Sequence, residues 1–462
     1  MTRRVTAPLA AMPWWCSPAG ITLGFLIPTI GLIAMAGESQ SSMLTVRGVR
    51  FLDLESMLLG MLMLVPIALG GWVGAQVQSS RAQLGDTDSR PWDRTALVMG
   101  SIALLGYSFL LKEFLLSPAL LWGTLTGAVK LSRQELGGSA GVSSLVNMAQ
   151  VFFAIYAFRL VDGTARPIPR GMHLLIGMLA TMTMFRVYVF SERLSMMEIS
   201  VPFGLAMGRW LSAQRSPRWA VLRNLGPFAA LPVVILYFGV AEYARSWSSA
   251  TYQGKTSFWE FAIGRFISYY VTSLNNGAGV VATTPEPTWK YEHTLEWLHR
   301  APFGLGARFS EYIGFNAEAK SSFIWYLRVY GDPEFNSNSG LFVPMADLGV
   351  FGALLYMLAI GLVGGLSFRA YRAGRLGGVL FLPLLFITFL EVFRYPFLAQ
   401  PRAFTWTIGI FVALGVVRFM EASNAAERAR QRIDPRVGSA GDSPRRRPAS
   451  GSAAASTAVL EA

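Results

Sequence analysis

Seven arginines define the chemistry that this sequence offers: Arg186, Arg193, Arg245, Arg265, Arg328, Arg394 and Arg402. Each stands at the edge of an apolar stretch or inside the one long polar segment between such stretches. A guanidinium presents a planar fork of donors and keeps its charge, so several of them converging near a membrane surface suit a lipid-linked pyrophosphate. Snorkelling to headgroups or pairing with a local carboxylate is the alternative use. For Arg193 the functional use is favoured, because it sits just inside an apolar stretch with Glu192 and Glu198 close by.

The groups able to carry a proton are Glu198, Glu242, Glu260, Glu292, Glu296, Glu311, Asp332, Glu334, Asp347 and Glu391, with His293 and His299. Glu198 and Glu242 lie near the outer ends of apolar stretches beside Arg193 and Arg245, where a carboxylate is placed to deprotonate a hydroxyl. Asp347 and Glu391 fall at or within apolar stretches, where an ionisable group is expensive and marks either a site or a partner for an arginine. His293 and His299 are six residues apart, too far to offer both rings from one helical face, and no cysteine or Asp-rich motif joins them. The expectation is no metal. Neither a Walker loop nor a G-x-G-x-x-G fingerprint is present, so no ATP or dinucleotide cofactor is expected.

These residues must be positioned by a membrane. Of 462 residues 53% are hydrophobic and only 15% charged, with a mean hydropathy of +0.41, which excludes an ordinary soluble domain. Stretches of about 20 apolar residues, enough to cross a ~30 Å hydrocarbon core, lie near 18–36, 57–76, 95–112, 143–160, 172–190, 195–212, 225–242, 341–367, 376–392 and 403–420. The fold class expected is therefore all-α, a polytopic integral membrane protein of about ten transmembrane helices. Seven spans fill 1–242, one large loop fills 243–340, three spans fill 341–420, and 421–462 forms a tail. The first stretch ends in Ala34, Met35 and Ala36, an A-x-A pattern of the kind that signal peptidases cut, but Pro28 and Gly31 interrupt it and favour a retained span.

The net charge of +13 comes from 35 arginines and only five lysines against 27 acids. With the Met1 end inside, every short inside loop is Arg-rich and all five lysines fall outside, which puts both termini in the cytoplasm. The basic surplus is thus topological, and nucleic acid is not an expected partner. The 243–340 loop carries Trp247, Trp259, Tyr269, Trp289, Trp297, Trp325 and Tyr326, too many aromatics for a linker, and is expected to fold over the bundle. Within it Trp259, Ile263, Phe266 and Tyr270 share one helical face and Arg265, Ser268 and Thr272 another, the pattern of a helix lying along the membrane surface or, equally, of a loop helix packing on the bundle. The tail, with RRRPASGSAAAS and no aromatic residue, has the composition of a disordered segment.

Three stretches resemble a known family. RVYVFSERLSMMEISVPFGLAMG has a short turn with an arginine entering an apolar helix; YFGVAEYARSWSSATYQGKTSFWEFAIGRFISYY opens a span into the large loop with arginines at intervals; FNSNSGLFVPMADLGVFGALLYMLAIGLVGG closes the loop at an acid-Leu-Gly step. Over roughly 185–367 the chain is similar to bacterial O-antigen and oligosaccharide repeat-unit polymerases of the Wzy type, which belong to a wider group that includes the O-antigen ligases. The resemblance implies a GT-C-like architecture in the bacterial inner membrane and a glycosyltransferase that joins undecaprenyl-diphosphate-linked oligosaccharide repeat units by inverting, metal-independent transfer at the periplasmic face. It also implies partners, namely the bilayer and a chain-length regulator and flippase of the same pathway. Carried over, Arg193, Arg245 and Arg265 correspond to arginines that engage the diphosphate, with Arg186 and Arg328 added as further binding candidates. Asp347 marks the acid of the closing step and joins Glu198 and Glu242 as catalytic candidates. A ligase is expected to carry a histidine shortly before that step, where this chain has Asn336, Ser337, Asn338 and Ser339, so polymerase is preferred. The alternatives are a ligase and a transporter or flippase of lipid-linked sugars, the latter needing a polar path through the midplane.

Overall fold

The computed structural model describes residues 12–37, 48–77, 89–126, 128–129, 142–162, 166–190, 192, 194–214, 216–243, 247, 257–315 and 322–433. Among them every regular element is a helix. Pro18–Ile21 (α1) passes through a π turn into Ile27–Gly37 (α2), followed by Leu54–Gln76 (α3), Arg90–Leu110 (α4), Lys112–Leu116 (α5), Pro118–Leu125 (α6) and Met148–Val161 (α7). Arg170–Phe190 (α8), Leu194–Ala213 (α9) and Ala220–Glu242 (α10) complete the first part. The large loop holds Phe258–Thr283 (α11) and the short Glu296–His299 (α12), Leu305–Tyr312 (α13) and Ser322–Val329 (α14). Val343–Arg372 (α15), Leu376–Leu390 (α16) and Pro401–Ile433 (α17) close the chain.

Each of the ten expected stretches falls on helix, but they are not equal. Six helical segments among the described residues are long and apolar enough to cross a membrane: Leu54–Gln76, Val142–Val161, Arg170–Phe190, Pro217–Val240, Val343–Arg372 and Pro401–Glu427. Pro18–Ile33 and Leu376–Leu390 are apolar but shorter. The two remaining stretches fall on α4 and α9, which carry Arg90, Asp93 and Arg94, and Glu198 and Arg209. The chain is a multi-helix protein of membrane type: α10 turns Val221, Phe228, Val233, Val234 and Val240 outward, and α3 does the same with Leu58, Leu62, Val65, Leu69 and Trp72. Apolar surface on that scale needs a lipid solvent.

The backbone divides into two units, Met1–Val416 and Val417–Ala462. The second is helical as far as Ile433, so residues 421–433 extend the last helix, and 434–462, the rest of the expected tail, lie outside the described residues. At the centre of the first unit stands α7, whose side chains from Met148 to Arg159 are all buried and which packs against α4, α9 and α16. Among the described residues α3 and α15 form the most extensive helix pair. Gly70 and Gly74 on one helix face Gly361 and Gly365 on the other, and a Cβ on any of the four would strike the opposing backbone. Small residues four apart are how helices approach when lipid supplies no hydrophobic drive between them. An Asp53–Ser56 capping box starts α3: Ser56 N donates to Asp53 Oδ1 at 2.8 Å and Asp53 N to Ser56 Oγ at 2.9 Å.

The loop is tied to the bundle by backbone and side-chain bonds. Thr288 N donates to Ala346 O (2.9 Å) and Trp289 N to Asp347 O (3.0 Å), just before Gly349, whose φ of 70° kinks α15 as only glycine does freely. Tyr326 and Leu327 of α14 join Val280, Val343 and Ala346 in one buried cluster.

Of the two readings of α11, the structure bears out the helix packed on the bundle and not the one lying on the membrane surface. Trp259 and Ile263 are exposed, whereas Arg265, Thr272 and every residue from Val271 to Val280 are buried. Its polar face turns inward because the inside supplies partners. Asn275 Oδ1 accepts from Phe51 N (2.7 Å) and Leu52 N (3.0 Å), and Asn276 Nδ2 donates to Phe335 O (2.7 Å) and Ser337 O (3.0 Å).

Candidate functional site

A cavity of about 570 Å³ opens where the end of α8, the start of α9, the middle of α11, the α12 segment and the turn into α17 come together. That volume is in the range of small-molecule sites. Four guanidiniums, Arg186, Arg300, Arg394 and Arg402, line it against two carboxylates, Glu192 and Glu296. Each guanidinium also has a carboxylate partner, Glu391 for Arg394 and Glu198 beside Glu192 for Arg402, so what the wall offers an anion is a set of fixed guanidinium donors and not a net positive charge.

Arg186 is buried at the last turn of α8, and its Nη2 pairs with Glu192. Its Nε and Nη1 are buried without a closed hydrogen bond; the Tyr107 hydroxyl, bonded to Thr183 at 2.8 Å, lies beside the guanidinium with its oxygen turned to it as an acceptor. A buried cation with donors left over is costly unless a ligand completes it. Arg402, at the start of α17, donates from Nη2 to the same Glu192 Oε2 at 2.7 Å, and its Nη1 lies 3.4 Å from Glu198 Oε1. Glu192 thus spaces two guanidiniums that would otherwise repel. Arg394 sits in the turn between α16 and α17, where its Nη1 bonds to Glu391 Oε2 at 2.9 Å and its guanidinium lies over Tyr269 (5.6 Å) and Tyr395 (5.3 Å). Its Nε is a third buried donor without a partner. The FNSNSG segment holds this turn in place, since Ser339 N donates to Arg394 O at 2.8 Å.

A second, apolar cavity of about 180 Å³ adjoins the first and shares Leu194, Tyr269 and Arg394 with it. Met196, Met197, Val233, Val234, Phe238 and Phe266 line it, together with Glu391. Val233 and Val234 are exposed on the outward face of α10, so the groove opens toward the side that lipid would cover. A polar basin and an apolar trough meeting at Arg394 make a site for an amphiphile with an anionic head.

The α12 segment is held over the basin from two directions. Trp297 stacks on Phe404 of α17 with centroids 4.1 Å apart and planes 8° from parallel. From below, Asp347 Oδ2 accepts from His293 N (2.9 Å), Thr294 N (2.8 Å) and Thr294 Oγ1 (2.9 Å). Trp289 and Tyr291, with φ of 53° and 54°, hold the left-handed backbone that this tight path demands. His293 is buried with its Nε2 3.0 Å from Glu292 Oε1. Burial opposes its protonation, but the Glu292 hydrogen bond and the charges of Glu292, Asp347 and Glu296 outweigh it and hold the imidazole above its ordinary value. Burial also lifts the Glu296 carboxyl above the ordinary carboxylate range, against the pull of Arg300, His293 and His299.

The residues singled out in the sequence are only partly gathered here. Arg186 lines the cavity; Arg193 and Arg245 lie outside the described residues. Arg265 is buried elsewhere, with Nε 2.8 Å from Glu242 Oε2 and Nη2 on Glu334, and its guanidinium over Phe335 at 4.9 Å. Glu242 is thereby engaged in a structural pair between α10 and α11. Arg328 is exposed on α14, away from the cavity lining. Glu198 lies beneath the cavity, fully buried, with Oε2 accepting from Gln150 Nε2 at 2.7 Å. Asp347, also fully buried, pins the loop. Sequence reasoning passed over Arg300, Gln400 and Tyr395 of the lining and did not select Glu296. Arg394 and Arg402 stood among the seven arginines singled out, but the resemblance stopped at 367 and gave them no role. No group of three or more His, Cys, Asp or Glu side chains able to hold a metal occurs among the described residues. Compared with known proteins, the chain matches no family model, no curated protein and no solved structure, so the geometry of the site carries the functional argument.

Proposed function

We propose that this chain is an integral membrane glycosyltransferase that polymerises undecaprenyl-diphosphate-linked oligosaccharide repeat units. The observation that carries the reading is the junction at Arg394 of an arginine-lined basin with an apolar groove. The diphosphate occupies the basin, its oxygens completing the spare donors of Arg186 and Arg394, while the prenyl chain lies along the groove between α9, α10 and α11. An acceptor hydroxyl attacks the anomeric carbon, the bond to the diphosphate breaks, and the negative charge gathered on the leaving group is met by guanidiniums already in place. Fixed charge in a partly dry site does this without waiting for solvent to reorganise. In this reading the chain crosses the inner membrane ten times with both termini in the cytoplasm, and the basin opens to the periplasm.

A strain lacking the gene, complemented with wild type or with Arg186→Ala and Arg402→Ala at matched protein levels, tests this by gel analysis of surface polysaccharide. Single repeat units on the lipid core after deletion, restored to long chains by wild type but not by the arginine variants, is the expected outcome. Long chains unattached to the core would replace polymerase with ligase. Loss of all repeats from the core, with lipid-linked units accumulating inside, would indicate transport.

A further inference from the structure

We propose that Glu296 is the general base of the transfer, taking the proton from the acceptor sugar's hydroxyl as that oxygen attacks; the assignment rests on the polymerase reading above. Two carboxylates line the basin, and they differ in what surrounds them. Glu192 is gripped by Arg186 and Arg402 together, both on Oε2, so that oxygen is already taken up by two guanidiniums. Its part is to hold the two guanidiniums side by side. Glu198, below the basin wall, faces Gln150 and Arg402 and is shut away from any acceptor. Glu296 is bonded only loosely by comparison: its partner Arg300, at 2.9 Å, has a side chain 68% exposed, and a pair of that kind exchanges readily with water or a hydroxyl. Partial burial raises its affinity for a proton, which a base working near neutral pH needs.

Position completes the argument. The Trp297–Phe404 stack sets Glu296 next to the stretch of α17 that supplies Arg402 and Thr405 to the same cavity, and the three bonds to Asp347 Oδ2 fix the turn that precedes it. Asp347, two residues before the kink at Gly349, is on this account a positioning residue that acts through the 293–297 turn. In the step itself, the acceptor O–H bond breaks with its proton passing to a Glu296 oxygen. The acceptor oxygen forms the new bond to the anomeric carbon, and the bond from that carbon to the diphosphate oxygen breaks. The electron pair leaves on undecaprenyl diphosphate, facing Arg186, Arg394 and Arg402.

The test uses membranes from the deletion strain, which hold its accumulated lipid-linked repeat units, mixed with detergent-purified full-length protein; polymer formation is timed on gels across pH. Binding of undecaprenyl diphosphate to the same preparations is followed by native mass spectrometry. Glu296→Gln is expected to slow polymer formation about 100-fold or more while lipid diphosphate binding stays within about two-fold of wild type. Glu296→Asp should keep part of the rate with the acid limb of the pH profile displaced, a change that a merely structural role would not produce. A Glu296→Gln rate within about three-fold of wild type, with Arg402→Ala inactive, would overturn the assignment and leave the polymerase reading standing. Absence of polymer with wild type, together with absence of undecaprenyl diphosphate binding, would overturn both.

Discussion

At the scale of single residues the site is a set of guanidiniums each held by a carboxylate, with Glu192 shared between Arg186 and Arg402. Arg402→Ala removes a cation from the basin and is expected to lower polymer formation about 10²- to 10³-fold, with Arg402→Lys recovering little, because an ammonium cannot span Glu192 and Glu198 with a planar fork. Timed polymer gels at matched protein levels check this. His293 gives a pH prediction. Its folded-state proton affinity is raised, so the stabilisation it lends the loop is complete below about pH 6.5, the ordinary imidazole value, and is lost as pH rises through the higher folded value. Limited proteolysis of the 285–300 segment should therefore accelerate toward alkaline pH in wild type, and His293→Gln should flatten that dependence. An unchanged profile in the variant would assign the effect to other groups. Arg186 was legible in the sequence as one of seven arginines at the edges of apolar stretches or in the long loop. Glu296 was not selected, because nothing within a short mixed segment announces that a distant Asp347 and Phe404 will hold it over a cavity.

At the scale of elements, two contacts decide where the site residues stand. Asp347→Ala removes the acceptor for three hydrogen bonds and leaves the buried His293 and Thr294 amides unpaired, at about 1–3 kcal/mol each. Hydrogen exchange at those two amides should rise sharply while α3 and α7 stay protected; if it does not, the turn is held by something else. The α3–α15 crossing makes a sharper demand. Gly70→Leu or Gly365→Leu drives a side chain into the opposing backbone, and either is expected to cost several kcal/mol and abolish a monodisperse peak in gel filtration. The helices themselves were plain in the hydropathy, since apolar runs of span length leave few other choices. What the pattern of α11 concealed was its orientation. The same two faces describe a helix lying on a membrane and one buried inside a bundle, and only the partners waiting for Asn275 and Asn276 decide between them. Likewise Glu242 looked like a companion of Arg245 along the chain, whereas folding α10 against α11 brings Arg265 to it from 23 residues away.

At the scale of the whole molecule, the first unit solves two problems with one set of helices: it buries polar chemistry on the inside while presenting apolar surface outward. The basin and the groove are the place where those two environments meet, and the substrate class proposed here is defined by needing both. The measurement that tests this most directly is binding of undecaprenyl diphosphate to the purified full-length protein, followed by native mass spectrometry, in wild type and in the Arg186→Ala/Arg402→Ala double variant. The account predicts saturable one-to-one binding by wild type, weakened at least ten-fold in the double variant, and weakened also when inorganic pyrophosphate, which lacks the chain that fills the groove, replaces the lipid. Equal binding by wild type and the double variant would contradict it.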